Sequence, residues 1–436
     1  MRRSLLLRAA ALAAIATWAL SSCDSRKPEA RPNIVLIVVE SLRADHIPFY
    51  GYGRDTTPFL SGLAPEGVIF RRAVSTSSWA APATASLVTS LYPIQHGVHM
   101  GVLASQTLTQ LDPRVTLNRL PDGVRTLAEE LKAAGYSTWG VSDCADVGPE
   151  IGFDRGFDRF EHLADAGAAA VNAAVQRWAG DLTAAKPSFL YVHYADPRRP
   201  YVTRAPWYVP KAREREDAIS AYDSEISYVD QHIGELFELL AWDKDTWLIV
   251  TSSHGEELRD HGEWYNGRTL YSEMLNVPLL VFSSKGRLKP RRIEERVSIL
   301  DVKPTLMEIA GLAADPVEQG VSLMAVVKGD TVPSTDRVFF ADLRTAPWYG
   351  SGVMKAVMRT NAKYVLTLPD REELFNEDYD PRERSSLAWS RPELVADLRS
   401  QLERFEAESP KYAEEPLRIT VDPRTVEKLR SAVYSN

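Results

Sequence analysis

The run of apolar, mostly β-branched residues at positions 34–39 constrains the fold of this chain more than any other segment. A strand exposed on one face alternates apolar and polar side chains, but this run contains no polar position. We therefore expect a strand that is buried on both faces. We interpret three later, largely apolar runs as further core strands, at residues 188–194, 247–251 and 277–282. Such strands are typical of parallel sheets that helices cover on both sides.

The segments around these strands have the spacing of amphipathic helices. Residues 218–240 carry apolar side chains three or four positions apart, and residues 126–134 form a shorter pattern that Gly135 closes. Residues 83–91 follow Pro82, a residue tolerated at a helix start. Strands alternating with helices predict an α/β fold with a large, mostly parallel sheet sandwiched by helices.

The pattern changes after residue 330. Short strand-like runs at residues 338–340, 353–358 and 363–368 predict a small antiparallel sheet, and residues 392–408 predict a terminal amphipathic helix rich in charge. We therefore expect a main α/β domain at residues 32–330 and a C-terminal subdomain at residues 331–436.

The N-terminal residues have the pattern of a targeting segment. Arg2 and Arg3 precede an Ala- and Leu-rich stretch that is short for a membrane span of roughly 20 residues. The stretch ends in Leu20-Ser21-Ser22-Cys23, the pattern of a bacterial lipobox. We favour a signal peptide at residues 1–22, a lipidated Cys23 and a tether at residues 23–31, which would anchor the protein at the periplasmic face of a cell-envelope membrane. The alternative is an ordinary signal peptide with an incidental cysteine.

Charge and cysteine content narrow the partners. The chain of 436 residues carries 51 Lys and Arg against 59 Asp and Glu, a net charge of −8. This balance argues against a nucleic-acid partner, because no basic surplus would displace counterions from phosphates. Cys144 is the only other cysteine, so a lipidated Cys23 would leave no intrachain disulfide. Because Cys144 follows an apolar run, we interpret it as a buried, inert thiol.

Polar clusters follow three of the predicted strands, at residues 40–46, 193–197 and 252–257. The carboxyl ends of parallel strands meet at one edge of a sheet, and sites in open α/β sheets collect there. We therefore expect these clusters to form one site.

Residues 78–97 resemble the nucleophile segment of the sulfatase family, in the alkaline phosphatase superfamily. That segment reads Cys/Ser/Thr-x-Pro-x-x-x-Ser-Leu-x-Thr, followed by Tyr-Pro and His-Gly. The matching residues are Pro82, Ser86, Leu87, Thr89, Tyr92, Pro93, His96 and Gly97. Further segments similar to the family lie at residues 31–52, 251–261, 270–279, 301–323 and 373–384, so the resemblance spans nearly all of residues 31–385.

The resemblance implies a divalent cation that polarises the ester oxygens and helps to deprotonate the nucleophile. Family members hold it with carboxylates after the first strand, the nucleophile, and an Asp-His or Asp-Asn pair. Hard oxygen ligands suit Ca²⁺, Mg²⁺ or Mn²⁺, and added imidazole brings in Zn²⁺. Further histidines hold the anion and protonate the leaving group.

Several family positions are retained in this sequence. By resemblance, Glu40 stands at the first-strand carboxylate, as in the lipoteichoic-acid synthase and phosphoethanolamine transferase branch, and His254 stands at the metal-binding histidine. The remaining retained positions are His96, His193, Asp196 and His261.

Other family positions are altered. Ala80 stands at the nucleophile, and Ser253 stands at the metal-binding Asp. Thr84 replaces an Arg that braces the nucleophile, and Arg198 and Asn266 replace histidines. A methyl group cannot attack sulfur or phosphorus, and loss of a nucleophile costs on the order of 10⁴ to 10⁶ in turnover.

Two hypotheses follow. The first is a degenerate sulfatase-like protein that binds an anionic sugar, lipid or protein partner in a cleft lined by Arg43, Arg198, His193, His254 and His261, with a divalent metal or none. The second is an active metal-dependent hydrolase or transferase of sulfuric or phosphoric esters with a rearranged site. Ser78 and Thr84 would be its nearest replacement nucleophiles, although a capping serine and a helical threonine explain these residues better.

Overall fold

An eight-stranded sheet forms the centre of the fold, with the strand order β10-β2-β9-β6-β1-β5-β3-β4. The computed structural model describes residues 31–101, 119–185, 187–344 and 352–412. The predicted signal peptide, Cys23 and most of the predicted tether fall outside these residues. From Pro32 onward the chain forms a single compact unit.

The strands are β1 Asn33–Val39, β2 Val68–Val74, β3 Ser137–Ser142, β4 Arg159–His162, β5 Ser188–Tyr194, β6 Thr246–Thr251, β7 Glu257–Leu258, β8 Trp264–Tyr265, β9 Asn276–Ser283, β10 Arg291–Ser298, β11 Val338–Arg344, β12 Val353–Arg359, β13 Ala362–Thr367 and β14 Arg371–Asn376. The α-helices are α1 Pro58–Leu63, α2 Ala80–Thr89, α3 Pro93–His96, α4 Leu127–Ala133, α5 Ala168–Ala184, α6 Glu214–Leu239, α7 Ser272–Leu275, α8 Val302–Ile309, α9 Met324–Val327 and α10 Pro392–Glu408. Short 3₁₀ helices lie at Ala44–His46, Pro48–Tyr50, Ala64–Glu66, Ser284–Gly286 and Ile299–Asp301.

Strand β1 lies inside the sheet between β5 and β6 and is parallel to both. Its alternate side chains pack into two separate hydrophobic clusters, as the uninterrupted apolar run predicts. Ile34, Leu36 and Val38 belong to one cluster, and Val35, Ile37 and Val39 belong to the other.

The predicted α/β fold is confirmed, with two differences in detail. Strand β9 runs antiparallel to both β2 and β6, since an apolar run carries no information about strand direction. Helix α2 begins at Ala80, three residues before the predicted start. Pro82 lies in its first turn, where no backbone N–H is needed for a helical hydrogen bond.

The predicted small antiparallel sheet is confirmed and has four strands, β11 to β14, in sequential order. Helix α10 packs on one face of this small sheet through Val395, Leu398 and Leu402. The other face of the small sheet shares a hydrophobic cluster with Leu270 and Leu275, which lie in a connection of the main sheet. Within the described part of the chain, no helix combines the length and apolar character needed to cross a bilayer.

Candidate functional site

Four neighbouring strands of the main sheet bring polar side chains to one edge. Strands β6, β1, β5 and β3 are adjacent and mutually parallel, so their carboxyl ends lie side by side. Glu40 directly follows β1, His193 lies near the end of β5, His254 lies just beyond β6, and Cys144 lies just beyond β3. The predicted meeting of the Glu40, His193 and His254 segments is therefore seen in the structure.

Glu40 is the centre of this group. Its Oε2 lies 4.0 Å from His193 Nε2, and its Oε1 lies 3.9 Å from His254 Nε2. Burial raises the pKa of Glu40 to about 8, although Arg198 and the Cys144 thiol act in the opposite direction. The carboxyl group is therefore held in an environment that strongly disfavours an uncompensated negative charge.

Both imidazole rings are held by their Nδ1 atoms. His254 Nδ1 lies 2.7 Å from the carbonyl oxygen of Gly255, so this nitrogen carries the proton and Nε2 presents a lone pair. His193 Nδ1 lies 2.8 Å from the hydroxyl of Tyr191. Burial lowers the pKa of His193 to about 3 and that of His254 to about 4.

Ala80 is the first residue of helix α2, at the position where the family carries its nucleophile. Its side chain offers no attacking atom. Hydroxyls do lie nearby in sequence: Ser78 and Thr84 are fully buried, and their oxygens have no hydrogen-bond partner among the described residues. Ser253, at the family's metal-binding Asp position, is likewise buried with an unpartnered hydroxyl.

Arg198 forms an ion pair with Asp165 at the site. Burial raises the pKa of Asp165, and Arg198 counters that shift. The guanidinium of Arg43 is engaged elsewhere, because it binds Asp45 and Asp260 at 2.8 and 2.6 Å. Arg198 is therefore the cation that faces Glu40, and it already has a carboxylate partner.

Two of the retained family residues make structural contacts. His96 Nδ1 accepts a hydrogen bond from the backbone N–H of Val98 at 3.1 Å, and its Nε2 lies 3.1 Å from Ser86 Oγ. Asp196 accepts hydrogen bonds from the backbone N–H of Ala168 at 3.0 Å and from Arg204 at 2.7 Å. The contacts of His96 stabilise the segment that follows β2, and those of Asp196 connect the segment that follows β5 to the start of α5.

His261 lies in a second cluster, with Glu257 and Glu273. Its Nδ1 is 2.6 Å from Glu273 Oε1, and its Nε2 is 3.1 Å from the carbonyl oxygen of Glu383. Its ring stacks on Tyr271 with a centroid distance of 3.8 Å. The hydrogen bonds of His261 thus connect the main domain to the segment after β14.

The family's metal ligands are only partly present in this site. Glu40 and His254 remain, while Ala80 supplies no ligand and Ser253 supplies a neutral hydroxyl. Ca²⁺ takes roughly six to eight oxygen ligands and is often bound by several carboxylates, which this set cannot provide. The family's oxygen-rich site therefore does not fit these residues.

Sequence reasoning missed the position of Cys144. Its Sγ, a carboxylate oxygen of Glu40 and an imidazole nitrogen of His193 all lie within 4.8 Å of one another. The signal available was its place after the strand at residues 137–142, which gives it the same edge of the sheet as Glu40. Cys144 is buried, as we expected, and burial raises the pKa of its thiol well above the ordinary value.

The comparisons with known proteins agree with this fold. The family model Sulfatase matches residues 32–312, and the model N-sulphoglucosamine sulphohydrolase, C-terminal, matches residues 260–408. The chain is 28% identical over 385 residues to the multifunctional alkaline phosphatase superfamily protein PehA of Trinickia caryophylli, covering 64% of this chain and 74% of that protein.

An ulvan-active sulfatase of Formosa agariphila is 23% identical over 445 residues, covering 86% of this chain and 82% of that protein. Among solved structures, a phosphonate monoester hydrolase of Agrobacterium radiobacter superposes with a TM-score of 0.71 at 19% identity. The match covers 87% of this chain and 96% of that one, and it concerns the fold.

Proposed function

Because this chain belongs to the sulfatase family of the alkaline phosphatase superfamily, we propose that it keeps the fold but has lost ester hydrolysis. On this proposal it acts as a binding module for an anionic ligand at the edge of the sheet beside Glu40. The observation that carries the proposal is Ala80 at the nucleophile position.

Three further observations point the same way. Ser253 stands where a family metal would need a carboxylate, and the retained His96 is fully buried and hydrogen-bonded to Ser86 and Val98. The retained His261 is engaged by Glu273 and Glu383. Together with Ala80, these features weaken attack, metal binding and proton transfer, so repairing one of them would not restore the others.

Arg198 supports an anionic ligand. A guanidinium can grip a sulfate, phosphate or carboxylate group through two hydrogen bonds, and Arg198 is the cation that faces the site. Its ion pair with Asp165 would have to open or be shared for this contact to form. The ligand class is therefore an anionic sugar, lipid or protein group.

A reconstruction experiment tests the loss of hydrolysis. We expect the full-length wild-type protein to hydrolyse para-nitrophenyl sulfate and phosphate no faster than buffer, and Ala80→Thr combined with Ser253→Asp to recover measurable turnover of one of them. The matched control is Ala80→Gly combined with Ser253→Asp, which restores the carboxylate without a nucleophile. Wild-type turnover that the control retains would overturn the proposal.

The second hypothesis, an active enzyme with a rearranged site, is supported by the unpartnered hydroxyls of Ser78 and Thr84. This hypothesis predicts a different result in the same assay. Wild-type turnover that is abolished by Ser78→Ala or Thr84→Val, in protein with an unchanged circular dichroism spectrum, would establish it.

The lipobox supports a further part of the proposal, that Cys23 carries lipid and anchors the protein at the periplasmic face of a bacterial membrane. Labelled palmitate should be incorporated into wild-type protein in cells and absent from Cys23→Ala, while Cys144→Ala keeps the label. Equal labelling of wild type and Cys23→Ala would reject lipidation at Cys23.

A further inference from the structure

The site at the sheet edge holds a set of potential metal ligands that differs from the family's set. Glu40, Cys144 and His193 come from three neighbouring strands, β1, β3 and β5, and their ligand atoms lie within 4.8 Å of one another. All three residues are buried. The sulfatase resemblance would instead place a metal between Glu40 and residues 80, 253 and 254.

Orphaned polar atoms are the second, independent observation. Glu40 Oε2 and the Nε2 atoms of His193 and His254 are buried and have no hydrogen-bond partner among the described residues. Leaving a buried polar group unsatisfied costs roughly 1 to 3 kcal/mol, so these atoms call for a partner. Glu40 Oε2 and His193 Nε2 lie 4.0 Å apart, and a cation bound between them would satisfy both; His254 Nε2 lies 3.9 Å from the other oxygen of Glu40.

The rings are already oriented for binding. The Gly255 carbonyl and the Tyr191 hydroxyl hold the Nδ1 atoms of His254 and His193, which turns both Nε2 atoms toward Glu40. Metal-binding histidines usually have such a partner on the second ring nitrogen, because it fixes the tautomer and the ring plane. Gly255 is required there for another reason, since a Cβ at this position would lie 1.8 Å from the carbonyl oxygen of Glu273.

The chemistry of the donors selects the metal. One thiolate, one carboxylate and imidazole form the borderline-soft set that Zn²⁺ prefers, whereas Mg²⁺ and Ca²⁺ take oxygen ligands. Ligand atoms in a tetrahedral zinc site are roughly 3.3 to 3.6 Å apart, given bond lengths of about 2.0 to 2.3 Å. Glu40 Oε2 and His193 Nε2 are 4.0 Å apart, and all three proposed ligand atoms lie within 4.8 Å of one another, so the ligands would have to move closer together on binding.

The charges also balance. Zn²⁺ bound by a deprotonated Cys144, a deprotonated Glu40 and neutral histidines has no net charge, which is the arrangement a buried site tolerates best. Binding forms zinc–sulfur, zinc–oxygen and zinc–nitrogen bonds, and the protons of the thiol and carboxyl group are released to solvent.

We propose that Glu40, Cys144 and His193 bind a zinc ion. His254 is not one of these three ligands and lies beside the fourth coordination position. Relative to the family's site, the metal is displaced across β1 toward β5 and β3. This inference does not depend on the proposed loss of hydrolysis, because each of its tests measures the metal itself.

Metal content and cobalt spectroscopy test the ligand set. Full-length wild-type protein should retain about one zinc ion per chain. When cobalt replaces the zinc, a near-ultraviolet thiolate-to-cobalt charge-transfer band should appear. Cys144→Ala should lose this band and most of the metal, whereas the matched control Cys23→Ala should keep both. A metal bound without the band, or a band that survives Cys144→Ala, would overturn the proposal.

Zinc-edge X-ray absorption gives a readout on the unmodified protein, in case Cys144→Ala does not fold. One sulfur neighbour at about 2.3 Å, together with nitrogen or oxygen neighbours at about 2.0 to 2.2 Å, supports the site. A shell of nitrogen and oxygen alone, or the absence of stoichiometric zinc, would contradict it. Neither result bears on whether wild-type protein hydrolyses esters, so the two proposals fail separately.

Discussion

At the scale of single residues, the same positions that identify the family also show how this member departs from it. Ala80 begins helix α2 where an attacking group would stand, and Ser253 is buried where a carboxylate would bind metal. Both changes can be predicted from the sequence, because the flanking motifs fix the alignment. The surroundings of Glu40 could be predicted only in part.

Cys144 shows why the rest of the site could not be predicted. It is more than 100 positions from Glu40 along the chain, and no motif marks it. Its approach to Glu40 depends on β3 lying next to β5 and β5 next to β1, an order that hydrophobic periodicity does not encode. The contact of Arg43 with Asp260 could not be predicted for the same reason. Together, Asp45 and Asp260 occupy a guanidinium that we expected to line the cleft.

His261 and Glu273 should make a pH-dependent contribution to stability. Burial alone would lower the pKa of His261, but the hydrogen bond and charge of Glu273 raise it above 6.5, with Arg384 opposing them. Burial alone would raise the pKa of Glu273, but His261 and Glu257 hold it below its ordinary value. The ion pair therefore stabilises fully between about pH 4.5 and pH 6.5, the ordinary pKa values of Glu273 and His261, and loses strength as the pH rises through the raised pKa of His261.

A double-mutant cycle with His261→Gln and Glu273→Gln, followed by chemical denaturation, measures this coupling. We expect about 1.5 to 3 kcal/mol at about pH 6, falling to about 1 kcal/mol at about pH 9, because hydrogen bonds to charged groups are stronger than neutral ones. A coupling free energy that stays constant or grows with pH would contradict the assignment of a charged His261.

At the scale of elements, uniform burial and regular spacing made the prediction reliable. The predicted bounds of β5 and α10 agree with the observed ones, Ser188–Tyr194 and Pro392–Glu408. The apolar pattern of each element is continuous from its first residue to its last. The direction of β9 was not predicted, and the start of α2 was predicted three residues too late. Direction depends on the connections around the sheet, and the first turn of α2 includes a proline that sequence patterns normally place at the helix start.

Helix α10 should depend on its apolar stripe. Leu398 is fully buried against the small sheet, in a cluster with Val357, Tyr364 and Leu374. Leu398→Ala should lower the free energy of unfolding by about 2 to 5 kcal/mol, since it removes the packing and leaves a cavity. The control in the same helix is Ser400→Ala, which is exposed and should change stability by no more than about 0.5 kcal/mol. Equal effects of the two substitutions in urea denaturation would contradict the packing of α10.

At the scale of the whole molecule, the buried Glu383 links the small sheet to the main domain. Lys363 Nζ on β13 lies 2.9 Å from Glu383 Oε1, and both side chains are almost fully buried. Glu383 also accepts a hydrogen bond from the backbone N–H of Ser272 at 2.9 Å, and its carbonyl faces His261. The small sheet is therefore attached to the loop that carries the second acidic cluster.

Removing Lys363 from its buried ion pair should lower the free energy of unfolding far more than removing a lysine from a more accessible ion pair. Lys363→Met leaves Glu383 buried without a counter-charge, and we expect a loss of about 3 to 5 kcal/mol in the free energy of unfolding. Lys355→Met on the neighbouring strand β12 breaks the more accessible pair with Glu406 and should cost about 1 kcal/mol or less. Comparable losses in thermal and urea denaturation would contradict the description of Lys363 and Glu383 as a buried ion pair.

The turnover of the wild-type protein tests the central claim, a sulfatase fold without ester hydrolysis, most directly. Full-length protein with its retained metal should be compared with Ala80→Gly on a para-nitrophenyl sulfate, phosphate and phenylphosphonate. We expect the two proteins to hydrolyse all three esters at the same rate as each other and no faster than buffer. Wild-type turnover that is saturable in substrate and proportional to protein concentration would contradict it.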